Sequence, residues 1–413
     1  MKHHFPARTL LALAAVAIAA IFAASGLAST SPTSAATTIN VNVGGGQAGI
    51  AADGFFPATV TITTGTTIHF VNPYEELHTA TFFPAGQTPA DLIVKDPGGS
   101  PAQGFNPVYA NQSPTSPATF DSTKVVNSGI MAKGSTYDVT FSGAGSFVFH
   151  CAFHPMTLTI NVVSSGTVDT QATVDARAAT ELAATLAAGK TAQDAATAAP
   201  VTKTTMADGS TNWTVVTGGG APVPNSTDLA DLMQFFPPTL TIKQGDTVTW
   251  TNNSGGPHTV SFLSGAALPA IITPIPEASG PPFQAFNIQV ALAMGGNTYN
   301  GTGFVSSGLF GEGFPNPPAF SVKFTAAGTF NYVCILHADQ GMAGAVTVET
   351  AAAAAPTVAP AAPPTGVVAP NTGSGPDAGG SGSAWIIAMI AAAFGGSVLL
   401  FAGALSFAKV RER

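Results

Sequence analysis

Cys334-Ile335-Leu336-His337-Ala338-Asp339-Gln340-Gly341-Met342 sets a thiol, an imidazole and a thioether in a Cys-x2-His-x4-Met run. Upstream, His258 follows the strand-like Thr247-Val248-Thr249-Trp250-Thr251-Asn252. A thiolate and two imidazoles in one plane, with a weak thioether above it, suit both Cu(I) and Cu(II), so little has to move when one electron arrives or leaves. Three of these donors come from one loop and the fourth from a distant strand, so a folded scaffold must set the geometry. Zinc is the rival for any Cys/His cluster, but structural zinc usually takes two or more cysteines, often as CxxC pairs. This chain has no CxxC.

An internal repeat supports the metal reading. Phe55-Phe56-Pro57-Ala58-Thr59-Val60-Thr61-Ile62 matches Phe235-Phe236-Pro237-Pro238-Thr239-Leu240-Thr241-Ile242 at an offset of 180 residues. The same offset carries Gly65 to Gly245, Asn72 to Asn252 and His78-Thr79 to His258-Thr259. Further on, Ala144-Gly145-Ser146-Phe147 matches Ala327-Gly328-Thr329-Phe330, and Cys151 and His154 map onto Cys334 and His337 at an offset of 183. The only two cysteines of the chain thus fall at equivalent places in two copies of one fold. In the first copy the loop reads Cys151-Ala152-Phe153-His154-Pro155-Met156, with one residue between His and Met where the second copy has four. Met156-x-Leu158-x-Ile160-x-Val162 still runs in phase with Met342-x-Gly344-x-Val346-x-Val348, so Met156 holds the place of the axial donor.

These residues closely resemble the cupredoxin family, whose plastocyanin branch has the Cys-x2-His-x4-Met spacing. The resemblance implies two tandem Greek-key β-sandwiches, each holding one type 1 copper, hence two coppers per chain. The implied ligands are His78, Cys151, His154 and Met156 in the first copy and His258, Cys334, His337 and Met342 in the second. It also implies one-electron transfer between redox partner proteins, with His154 and His337 reaching the surface through an apolar patch where a partner docks. Copper capture or storage at the cell surface is the alternative from the binding class. A copper oxidase or nitrite reductase is the alternative from the enzyme class. His150 beside Cys151 is similar to the arrangement in those enzymes, whose second copper centre needs several more histidines, often as His-x-His pairs. Outside the proposed ligands and the leader only His69 and His150 remain, and no His-x-His occurs. Both read as strand residues facing away from the core, and no enzyme is expected.

Composition agrees with an all-β protein outside the cytoplasm. The length of 413 residues allows two or three domains. Short alternating strands such as Phe320-Ser321-Val322-Lys323-Phe324 recur, and each copy is long enough to bury a sandwich core. Only 8% of residues are charged and the formal net charge is −8, so no basic patch argues for nucleic acid. No Gly-x-Ser-x-Gly, His-Glu-x-x-His or phosphate-binding Gly-Lys-Ser/Thr pattern occurs, and no small-molecule substrate is expected. Gly44-Gly45-Gly46 and Gly218-Gly219-Gly220 read as matched strand ends.

Residues 1–35 carry Lys2, Arg8, an apolar run and small residues, the pattern of an export signal. The expected organisation is then a first cupredoxin domain at 37–163, an Ala/Thr-rich linker at 164–211 that is helical or disordered over 174–198, and a second domain at 212–350. A Pro/Gly/Ala tether follows at 351–384. Residues 385–408 are uncharged and long enough to span a bilayer, and the basic tail 409–413 would stay in the cytoplasm. Single-pass anchoring in the cell membrane beside membrane-bound partners is therefore expected, with both copper domains outside. Ala369-Pro370-Asn371-Thr372-Gly373 resembles the Leu-Pro-x-Thr-Gly cell-wall sorting signal with Ala in place of Leu. Two long Pro/Gly-rich insertions, 83–129 and 263–308, separate the first His from the Cys in each copy.

Overall fold

Strands Thr59–Thr63 and Thr239–Lys243 show why the repeat folds as it does. Each alternates inward and outward residues, burying Val60 and Ile62 in one and Leu240 and Ile242 in the other. That period of two is what a half-buried strand requires. The computed structural model describes residues 37–100, 102–311, 316 and 319–350, and these are mainly β. The expected signal 1–35, the tether 351–384, the 385–408 span and the tail 409–413 lie outside the described residues. Among the described residues no helix is long and apolar enough to cross a membrane.

Each half is built from two sheets facing each other across one core. In the first half, Thr38–Gln47 runs parallel to Thr67–Val71 in one sheet, and Thr157–Val163 runs parallel to Thr59–Thr63 in the other. In the second half, Thr211–Thr217 runs parallel to Thr247–Asn252, and Ala343–Glu349 to Thr239–Lys243. Val41, Phe70, Tyr137, Phe149 and Leu158 fill the first core, and Trp250, Phe262, Phe324, Tyr332 and Val346 the second. Truncating one such aromatic to Ala typically costs about 3–5 kcal/mol.

The two halves share structure at three places. Leu229–Leu232, from the second half, pairs antiparallel with Ile50–Phe56 of the first, in the register Ala230↔Ala52. The insertions also meet. Ile93–Lys95 and Gln103–Phe105 from one, and Ile272–Ile275 and Phe283–Phe286 from the other, form a four-stranded sheet joined at Gly104↔Ala285. A Cβ on Gly104 would lie 2.2 Å from the Gln284 carbonyl oxygen, so only glycine allows that approach.

The third link is a helix, Gln171–Ala198, within the segment expected as a linker. Thr170 caps it, accepting from the Thr173 amide at 3.2 Å. Arg177 donates to both carboxylate oxygens of Asp169 and to the Thr59 carbonyl, while Glu181 accepts from the Ala58 amide at 2.8 Å. Gly189 lies against both halves, since a Cβ there would meet Ile50 at 2.6 Å and Ala230 at 2.8 Å. Lys203–Thr205 then pairs antiparallel with Thr211–Thr217, in the register Lys203↔Trp213.

Candidate metal centres

His78 follows strand Thr67–Val71 in a loop shaped by Asn72. The Asn72 amide donates to the carbonyls of Glu76 and Met131, and its oxygen accepts from the Tyr74 amide. Asn252 does the same for His258, donating to the carbonyls of Gly256 and Phe310 and accepting from the Ser254 amide. Each histidine is then locked by paired backbone hydrogen bonds, His78 to Met131 and His258 to Phe310. The repeated Thr after each His ties this loop to the cysteine loop, for Thr79 Oγ1 accepts from the Ala152 amide and Thr259 Oγ1 from the Ile335 amide.

The cysteines lie just past strands Gly145–His150 and Gly328–Val333. Cys151 Sγ is 3.8 Å from both His78 Nδ1 and His154 Nδ1, and the two nitrogens are 3.2 Å apart. Cys334 Sγ is 3.8 Å from His258 Nδ1 and 3.4 Å from His337 Nδ1, with 3.1 Å between the nitrogens. Each trio can hold one metal ion. Met156 and Met342 are buried beside them. In both loops the Cys amide donates to the Met carbonyl, at 3.3 and 3.0 Å, and the Met amide to the His carbonyl, at 2.8 and 3.1 Å. The shorter first loop thus closes in the same pattern, and the extra residues of the second form the short 3-10 turn Ala338–Gln340.

The donor chemistry fits copper. Burial alone would push both thiols up, but the His154 and His78 rings outweigh it at Cys151, and His337 and His258 at Cys334, holding both well below the usual thiol value. Backbone amides of Thr79 and Phe153 point at Cys151 Sγ, and that of Thr259 at Cys334 Sγ. A thiolate with two neutral imidazoles is the set a copper ion requires.

Glycine makes room for the first histidine of each set. A Cβ at Gly44 would stand 2.1 Å from His78 Nε2, and one at Gly218 2.4 Å from His258 Nε2. Both glycines have positive φ, +83° and +67°. They are therefore backing surfaces for His78 and His258 and not merely strand ends.

His154 and His337 depart from the expectation that they reach the protein surface. His337 is buried, and the His154 side chain is 14% exposed. The paired insertions cover them, with Phe105 stacked edge-on between Phe153 and Phe286 at centroid distances of 5.1 and 4.7 Å. Both rings border one cavity of about 280 Å³ between the halves. Their Nε2 atoms face buried carboxylates: His154 lies 3.9 Å from Asp53 and 3.8 Å from Glu76, and His337 lies 3.6 Å from Glu76.

No motif points to Asp53, Glu76, Asp231 or Gln340. The available signal is a lone acid inside the otherwise apolar, fully buried strand Ile50–Phe56. Burial pushes Asp53 up to about 7 against the pull of His154 and His78, and it raises Asp231 as well. Burial would also raise Glu76, but His337, His154 and His78 with the Gln340 amide bring it down to about 2. His154 rises to about 10 and His337 to about 9, burial being outweighed by the facing acids and thiolates. An ion held at Nδ1 would replace the second proton of each ring, so the same acids favour a cation there.

His69 and His150 stay apart from both trios. His69 Nδ1 meets Asp138 at 2.5 Å across neighbouring strands, and His150 is exposed at a strand end.

The family profile of copper-binding proteins of the plastocyanin/azurin type matches residues 221–349. Plastocyanin of Scenedesmus fuscus is 32% identical over 117 residues, covering 28% of this chain and 86% of that protein. Chloroplastic plastocyanin of Chlamydomonas reinhardtii is 34% identical over 117 residues, and the chain spans 59% of its length. Amicyanin of Paracoccus denitrificans is 30% identical over 171 residues, covering 41% of this chain and 98% of that protein. With two His/Cys/His trios that can hold copper, this chain belongs to the copper-binding plastocyanin/azurin family.

Proposed function

We propose that this protein is an extracytoplasmic electron carrier with two type 1 coppers, anchored to the cell membrane by residues 385–408 and passing single electrons between redox partner proteins. Each half would fold as a Greek-key sandwich, with Cys151, His78 and His154 forming one ligand plane and Cys334, His258 and His337 the other. Met156 and Met342 would be the axial thioethers. Copper bound there supplies a one-electron couple. The rest follows from the chain's own residues: Asn72 and Asn252 hold the ligand loops in shape, Thr79 and Thr259 tie them together, and the apolar insertions keep water from the histidines. The observation that carries this reading is the pair of trios already gathered within 3.8 Å, a scaffold that need not rearrange with oxidation state.

Metal analysis and voltammetry of the copper-loaded full chain test it, the expected result being two coppers that cycle reversibly. Tight Cu(I) binding without reversible cycling would point to storage instead, and turnover of nitrite or phenols to an enzyme. Residues 351–384 would act as a tether of about 30 Å mean span. Deleting residues 351–413 should release the copper domains from the membrane and lower membrane-linked electron flux in cells, and unchanged flux would count against the anchored role.

A further inference from the structure

The two trios are not independent. Glu76 is buried between them, its Oε1 facing His154 Nε2 at 3.8 Å and its Oε2 facing His337 Nε2 at 3.6 Å. Gln340 holds the same Oε2 by an amide hydrogen bond of 2.7 Å. We propose that Glu76 joins the two centres into one redox unit, carrying an electron between the halves through His154 and His337. This rests on the reading of two copper sites given above.

Three features support the bridge. First, Nδ1 of each ring belongs to its trio, while Nε2, the other ring nitrogen, is the atom that meets Glu76. The route between the halves therefore crosses two gaps under 4 Å, and electron tunnelling falls steeply with the length of such gaps. Second, the bridge is asymmetric in sequence, for the position equivalent to Glu76 in the second copy is Gly256. One carboxylate thus faces both rings, with buried Asp53 beside it, 3.9 Å from His154 alone. Third, Gln340 belongs to the extra turn of the longer loop, so the loop difference between the copies is what delivers the amide to Glu76. The paired insertions lie over the same cavity, with Phe105 against Phe286, so both rings face the space between the halves.

The step balances simply. One electron leaves the reduced half, which is oxidised, and reduces the other half. No bond forms or breaks, and the Nε2 protons of both histidines stay in place facing the carboxylate.

The test uses the full chain loaded with copper, reduced by a light pulse to less than one electron per molecule. Cys151→Ser and Cys334→Ser assign the absorption of each half. The expected result is a re-equilibration phase whose rate is independent of protein concentration, absent in either Cys variant, and slowed by about tenfold in Glu76→Ala. Potentials provide a separate readout. Removing a negative charge that faces both rings should raise both reduction potentials together in Glu76→Gln. The proposal is overturned if Glu76→Ala keeps two coppers and an unchanged phase, or if Glu76→Gln shifts only one potential. Should Glu76→Ala fail to load, Gln340→Ala replaces it and must slow the same phase. A wild-type chain with fewer than two coppers would instead sink the underlying two-site reading.

Discussion

The Gln340 side-chain amide donates to Glu76 Oε2 at 2.7 Å, linking positions 264 residues apart. Both residues are buried, at 9% and 8% exposure, so the bond works without competition from water. Gln340→Ala should lower stability by about 2 kcal/mol, the usual worth of a hydrogen bond to a charged group. Denaturant melting of the metal-free chain checks this, and a change within error would show that the halves are held by their strands and helix alone.

Each cysteine should control one copper. Cys334→Ser is expected to abolish the thiolate-to-copper absorption of the second half and leave that of the first, with copper content falling from two to one. The two bands should differ, because Pro155 alone spans the gap that Ala338-Asp339-Gln340-Gly341 fills. Replacing Pro155 by those four residues should move the first band towards the second, as read in the visible spectrum.

Gly44→Ala and Gly218→Ala should each weaken copper binding in their own half. The added Cβ would collide with His78 or His258, and the positive φ would add strain of about 1 kcal/mol. Competition with a copper chelator measures the loss, expected at tenfold or more for the affected site alone, since the collision is with a ligand ring.

Acid should loosen the helix Gln171–Ala198. The hydrogen bonds from Arg177 outweigh partial burial and hold Asp169 below its usual value of 3.8. The folded state therefore gains from this carboxylate above pH 3.8 and loses the gain as pH falls through the lower folded value. Melting curves between pH 5 and 2 should show a steeper acid loss in the parent than in Arg177→Met, which removes the guanidinium and leaves Asp169 the Thr61 amide at 2.7 Å. Parallel curves would mean that the ion pair does not anchor the helix.

The His/Cys/His trios and the strand pattern were legible because they depend on local rules. Period-two burial at Val60 and Ile62, the His-Thr pairs, and the cysteine loops repeat along the chain at fixed offsets. Asn72 and Asn252 also matched, and the structure gives the reason, since each shapes the loop before its histidine. What lies between the copies was not legible in the same way. Asp53, Glu76, Asp231 and Gln340 occur in no shared motif, and Glu76 has no counterpart in the second copy.

The sequence by itself determined that this is a repeated β protein with two Cys/His trios suited to copper, because strand alternation and ligand spacing are short-range properties. Only the tertiary structure decided that the insertions pair through Gly104 and Ala285, that the Ala-rich segment is a helix packed on both halves, and that His154 and His337 turn inward to a shared Glu76. Those outcomes depend on how two covalently joined copies bury their remaining apolar surface against each other. Residues far apart in the chain meet there for reasons of shape and charge that no local pattern records.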